Sequence, residues 1–168
     1  MKGKNMDEKN KNDNQMNMNH NMYPRLLIMS LLHLITMYFL MYSMVYVFDH
    51  FYNNINKFYM AAIMTAPMIL LELVLMGAMY KNKTRNAVIM IGSIAALVIF
   101  FLFIRQQTAV NDRMFLRSMI PHHSSAILMC EETELQDQEL IDLCDEIVQT
   151  QKEEIDQMKD IMERLQNP

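Results

Sequence analysis

The sequence predicts an all-α protein in which three transmembrane helices are followed by a soluble helical hairpin. Three observations predict it. Long apolar runs fill most of residues 26–104, charge divides between the two parts of the chain, and the last third repeats its apolar residues at steps of three and four. Residues 1–104 hold 9 Lys+Arg against 5 Asp+Glu, whereas residues 105–168 hold 6 against 14. In a chain of 168 residues, 52% hydrophobic and 20% charged, that split argues for a membrane part beside one small soluble domain. It argues against a large soluble enzyme, and an acidic domain would repel the phosphates of a nucleic acid, so no nucleic-acid partner is expected.

Residues 1–25 read as a tail rich in Asn, Lys, Asp and Met. It has too little apolar clustering to offset the entropy of ordering, so disorder is expected. Within it, Met16, Met18, His20 and Met22 alternate in the run QMNMNHNM. Thioether and imidazole groups at that spacing suit Cu(I) or Ag(I), and a low-complexity tail with no role is the alternative.

The transmembrane region, residues 26–104, contains the runs Leu26–Phe48, Phe58–Tyr80 and Ala87–Ile104, each long enough to cross about 30 Å of hydrocarbon. The first run is longer than a signal-peptide core of roughly 7–15 residues and is read as a retained anchor. Polar stretches at Asp49–Lys57 and Lys81–Asn86 make short loops between neighbouring helices. Lys2, Lys4, Lys9, Lys11, Arg25, Lys81, Lys83 and Arg85 lie on one side of the spans, against Lys57, Arg105, Arg113 and Arg117 on the other. This bias places the N-terminus in the cytoplasm and the C-terminal domain outside it, in a cell membrane.

The chain has 20 methionines. Met29, His33, Met37, Met41 and Met44 form a ladder in the first span, and Met60, Met64, Met68, Glu72, Met76 and Met79 form another in the second. His33 and Glu72 fall at similar depth and are placed to pair. Either the sulfurs line a path for a soft cation, or Met serves as a flexible gap-filler and the His33–Glu72 pair is structural.

Residues 105–168 form the soluble acidic domain. Asp112 suits an N-cap, and Phe115, Met119, His122, Ala126 and Met129 recur at helical steps beside Leu116, Ile120, His123, Ile127 and Cys130. A second helix starting near Asp137 carries the stripe Leu140, Cys144, Ile147, Gln151, Ile155, Met158, Met162 and Leu165. Glu134–Gln136 joins the two into a hairpin. Facing residues in an antiparallel pair have nearly constant number sums, which sets Cys130 opposite Cys144, His123 opposite Gln151 and Met119 opposite Glu154. A Cys130–Cys144 disulfide is predicted as the staple of so small a unit, two buried thiols being the alternative.

Pro121 interrupts the first of these helices, so a kink or restart is expected just before His122. Met119 lies one turn below both His122 and His123. A pair of Met119 with either histidine, completed by Met129, Glu154 or Met158, would make a mixed site suited to copper or silver rather than Mg or Ca. Zinc would accept the histidines but rarely a thioether, and a kinked core helix with ordinary histidines is the other reading.

The stretch Met119–His123 (MIPHH), followed by Ala126, Ile127 and Met129 and then by Gln151, Glu154, Ile155 and Met158, resembles the family called domain of unknown function three-hundred-and-five. That family includes CopM-like copper-binding proteins with a ferritin-like helical fold, and the three preceding spans resemble a membrane-anchored subgroup. The resemblance implies binding of Cu(I), Cu(II) or Ag(I) through Met119, His122, His123, Met129 and Met158, in copper tolerance or trafficking. A copper exporter or chaperone is the implied exchange partner. One hairpin supplies fewer helices than soluble members carry, so self-association into a four-helix bundle, a homo-oligomer, is expected.

No enzyme is expected: Ser124 and Ser125 merely neighbour the histidines on one helix, and no Glu precedes a His by three as a di-iron site requires. The competing reading is an anchored helical interaction module indifferent to metal. A metal sensor is a third, and the chain offers no signalling domain to support it.

Overall fold

The computed structural model describes residues 22–166, so the Met16, Met18 and His20 cluster and most of the tail lie outside the described residues. Five α-helices follow one another: α1 Met22–Leu40, α2 Ile55–Leu75, α3 Lys83–Arg105, α4 Asp112–Glu132 and α5 Gln138–Arg164. Asparagine or aspartate opens four of them. Asn54, Asn82, Asn111 and Asp137 accept the backbone N–H of Lys57, Arg85, Met114 and Leu140 at 2.9–3.1 Å, which satisfies amides that the first helical turn leaves unpaired. The cap of α4 is therefore Asn111, one residue before the expected Asp112, which becomes the first helical residue.

α1, α2 and α3 are 19, 21 and 23 residues long with mean hydropathies of 1.4, 2.0 and 2.9, long and apolar enough to cross a membrane. The chain divides into two compact units, one running to Met37 and resuming at Ala61–Leu102, the other holding Tyr38–Met60 and the chain from Phe103 onward. In the first, Leu26, Leu73 and Tyr80 form a buried cluster with Tyr23, Ile69 and Ile89 around it. Tyr80 donates to Glu72 at 3.2 Å, and Tyr23 donates to Asn86 at 2.8 Å, so Glu72 takes a tyrosine rather than the expected His33. Met29, Met64, Met76 and Met79 are exposed in this unit.

The first apolar run was expected to continue as helix to Phe48, yet α1 stops at Leu40. The reason lies in its tyrosines. The Tyr38 hydroxyl donates to Asn53 at 3.0 Å and the Tyr42 hydroxyl to the Tyr52 carbonyl at 2.8 Å, while the Tyr42 and Phe51 rings stack at 3.8 Å. These bonds fold residues 41–54 back as a strap containing a short 3₁₀ turn, Phe48–His50. The second unit is thus larger than the predicted residues 105–168, because the loop between the first two spans belongs to it.

α4 and α5 form the hairpin of that unit. Leu116, Ile120, Ile127, Ile155 and Met162 make its buried core, flanked by Val148, Met158, Ile161 and, from the strap, Tyr52. Cys130 and Cys144 are joined in a disulfide with their Cα atoms 5.3 Å apart, as the register predicts. Pro121 is buried and α4 runs through it without the expected restart. Its missing N–H leaves the Arg117 carbonyl without a helical donor. The Asn54 side chain supplies one from the strap, at 3.4 Å.

Candidate metal site at the Pro121 turn

His123 is the centre of the arrangement. Its side chain is buried, and both ring nitrogens face acceptors: Nδ1 lies 2.9 Å from the Met119 carbonyl and Nε2 lies 2.8 Å from Glu154 Oε2. Gln151 Nε2 donates to the same carboxylate oxygen at 3.2 Å. An imidazolium donates to both acceptors, whereas a neutral ring sets a lone pair against one of them. The expected partner of His123 was Gln151; the observed partner is Glu154, one turn further along α5. Helical side chains lean toward their own N-terminus, so on antiparallel helices the His123 ring leans toward the residue 112 end of α4 and the Glu154 side chain leans up to meet it.

The same offset brings Met119 level with Met158, because each stands one turn from a member of the His123–Glu154 pair. Met119 is half-buried and Met158 packs against the hairpin core. His122 is exposed, its ring 6.0 Å from that of His123 and roughly perpendicular to it. Met129 is 58% exposed and lies six residues beyond His123, about 9 Å along the helix and on another face. Of the five candidate ligands, the helix register sets Met119, His123 and Met158 within about one turn of a common level, His122 is exposed beside His123, and Met129 stands apart.

Among the described residues no three His, Cys, Asp or Glu side chains converge as a metal-holding group. A site built from hard and borderline donors alone is therefore absent from that region. What the turn offers is the His123–Glu154 contact with the thioethers of Met119 and Met158 about one turn away, donors of the kind soft cations take.

His50 was missed in the sequence, where nothing in its spacing links it to the hairpin. Its Nδ1 lies 3.0 Å from Oγ of Ser124, which is fully buried beside His123 and also accepts the Tyr46 N–H at 2.9 Å. The hydroxyl has one proton and two lone pairs, so it holds the Tyr46 amide and the His50 ring together at one buried point. Burial, with Lys159 nearby, pushes His50 below its ordinary value of 6.5, while Asp49 and Asp156 pull the other way. Lys159 also pairs with Asp49, holding that exposed carboxyl below the usual range.

A pH dependence follows from His50. Unfolding lets the ring bind a proton near 6.5, whereas the folded ring binds it only at lower pH, so the unfolded state carries more protons between the two values. Stability contributed by His50 is present above 6.5 and is lost as pH falls through that window. Urea unfolding of the full chain between pH 7.5 and about 5 should show this decline and a flatter one in His50→Gln. Equal slopes in the two chains would refute the assignment.

The family described as Domain of unknown function (DUF305) matches residues 103–162. An uncharacterized protein, L153, of Acanthamoeba polyphaga mimivirus is 32% identical over 118 residues, covering 68% of this chain and 76% of the viral protein. A match of that length extends back past Phe103 into the apolar part, so the similarity is not confined to the hairpin. No solved structure matches the chain.

Proposed function

Because the chain belongs to the DUF305 family, a domain of unknown function, we propose that it is a membrane-anchored protein that holds copper or silver through Met and His side chains, outside the cytoplasm, in copper tolerance or trafficking. The observation that carries this reading is the level at which α4 and α5 bring Met119 and His123 opposite Met158 and Glu154. Two thioethers at that level favour Cu(I) or Ag(I) over zinc, calcium or magnesium. The metal is cargo in this reading, and no resident cofactor is required.

His122 receives the ion first, since its exposed ring makes no hydrogen bond among the described contacts and Met119 stands one turn below it. His123 becomes a ligand only when Glu154 releases Nε2, so loading and the ion pair compete. Glu154 is then a positioning group that keeps the ring ordered in the empty state. The charge bias across the spans favours the extracytoplasmic side for the hairpin, and a disulfide in it fits an oxidising compartment.

Competitive titration of the full chain in detergent with Cu(I), Ag(I), Cu(II) and Zn(II) tests the reading, beside a variant with Met119, His122 and His123 all changed to Ala. Soft-ion binding should be tight and drop by at least about a hundredfold in the variant, the loss of about 2.7 kcal/mol. Glu154→Gln should keep or raise soft-ion affinity, because it weakens the grip on His123. Equal binding by the parent and the triple variant would instead favour an interaction module, a reading supported by the engagement of both His123 nitrogens and the packing of Met158 in the core.

A further inference from the structure

An apolar groove of about 590 Å³ opens at the base of the hairpin, between the first turn of α4 and the last turn of α5. Val110, Phe115, Leu116, Ile161 and Leu165 form its walls, with Arg164 at its edge. That volume falls within the roughly 300–1,000 Å³ of small-molecule sites. Phe115 and Leu165 remain 51% and 40% exposed, so the groove leaves uncovered the largest ring of the hairpin.

Its position in the chain is informative. Gln107, another wall residue, stands two residues past the end of α3, and the linker is held rather than loose. Asn56 donates to the Gln107 side chain at 3.0 Å, and Tyr59 donates to the Thr108 carbonyl at 3.1 Å. Gln107 and Ala109 adopt left-handed backbone conformations, with φ of 49° and 59°, costly for residues other than glycine. The groove is thereby fixed within a few residues of the point where the third span ends.

Charge supplies the second observation. Between Met119 and Gln157 the domain has one cation, Lys152, against eleven carboxylates. All four of its arginines, Arg105, Arg113, Arg117 and Arg164, lie outside that stretch with Lys159, against the carboxylates Asp112, Asp160 and Glu163 and, from the strap, Asp49, which Lys159 pairs. The domain is strongly acidic toward its tip and net basic at its base. An occupant that is apolar in body and anionic at the head complements both features, and Asp112 at the rim disfavours a free anion without an apolar part.

We propose that this groove seats an acyl chain of an anionic phospholipid from the bilayer that holds the spans, with Arg164 facing its phosphate. The proposal rests on the membrane-anchored reading but not on the metal reading. It adds a lipid-binding role to the base of a domain whose candidate metal residues lie further along the hairpin.

The test uses the full chain in nanodiscs of phosphatidylcholine, with and without phosphatidylglycerol, and a photo-crosslinking side chain at position 115. Crosslinks should form to lipid, with a yield about fivefold higher in the anionic discs, the worth of one arginine near an anionic surface. Arg164→Gln should abolish most of that preference, and Leu165→Glu should reduce lipid crosslinking in both discs, with helical content unchanged in each variant. Equal yields in the two lipids, or crosslinks to a second copy of the chain, would overturn the proposal. Alkaline extraction of the unmodified chain from vesicles separates the two failures. A chain released from the membrane sinks the anchored reading itself, whereas a retained chain with no anionic preference sinks only the lipid assignment.

Discussion

Removing the disulfide from the full chain lowers the stability of the hairpin by roughly 3 kcal/mol, the chain-entropy value for a closed loop of about 15 residues. Cys130 and Cys144 are separated by 14 positions and lie toward the turn-joined ends of α4 and α5, on either side of the Thr133–Asp137 turn. Beyond that crosslink the turn holds little: Glu131 pairs with Lys152 at 3.0 Å on the surface, a contact worth at most about 1 kcal/mol. The buried core starts only at Ile127 and lies below the crosslink. Urea unfolding followed by circular dichroism should place the reduced chain and the Cys130→Ser/Cys144→Ser variant together, both well below the oxidised chain. If oxidised and reduced chains unfold alike, the staple is not what holds the tip. The result also bears on compartment, since a domain that needs this bond is stable only where thiols oxidise.

Much of this fold is legible in the sequence because it rests on short-range rules. Apolar length marks the three long helices, Asp137 marks the start of α5, and a constant number sum brings Cys130 to Cys144. The strap was not legible, because residues 41–48 continue an apolar run and periodicity cannot tell a span from a segment that turns back. Only the hydroxyls of Tyr38 and Tyr42, which need polar partners, hint at the stop. His50 stayed hidden for the same reason, being a loop residue brought to Ser124 by a fold the strap itself creates. At the candidate site, residue identity was readable and pairing was not. Number sums locate Cα atoms at one level, while His123 and Glu154 meet through the lean of their side chains, one turn away. Met129 fits the motif by spacing, yet six residues from His123 it faces elsewhere.

Ile120→Ala should be the most damaging single truncation in the hairpin, costing about 2–5 kcal/mol in urea unfolding of the full chain. Ile120 has no exposed surface, and its neighbours in the core are Leu116, Ile127, Ile155 and Met162. The cost depends on whether the surroundings can close over the lost methylenes, and here they are restrained. Pro121 follows directly with its backbone angle fixed, and the hairpin tip is crosslinked. Ile120→Val, which removes one methylene, should cost about 0.5–1.5 kcal/mol. Met129→Ala, at an exposed position, should stay within about 0.5 kcal/mol of the parent. If Met129→Ala cost as much as Ile120→Ala, the core would be centred elsewhere and the α4–α5 register with it. Because the cavity would open one turn from His123, the same variant also separates two meanings of that histidine. A soft-ion site held by exposed His122 and by thioethers should keep most of its affinity in Ile120→Ala under native conditions. A site that depends on the packed His123–Glu154 geometry should lose affinity in step with the lost stability.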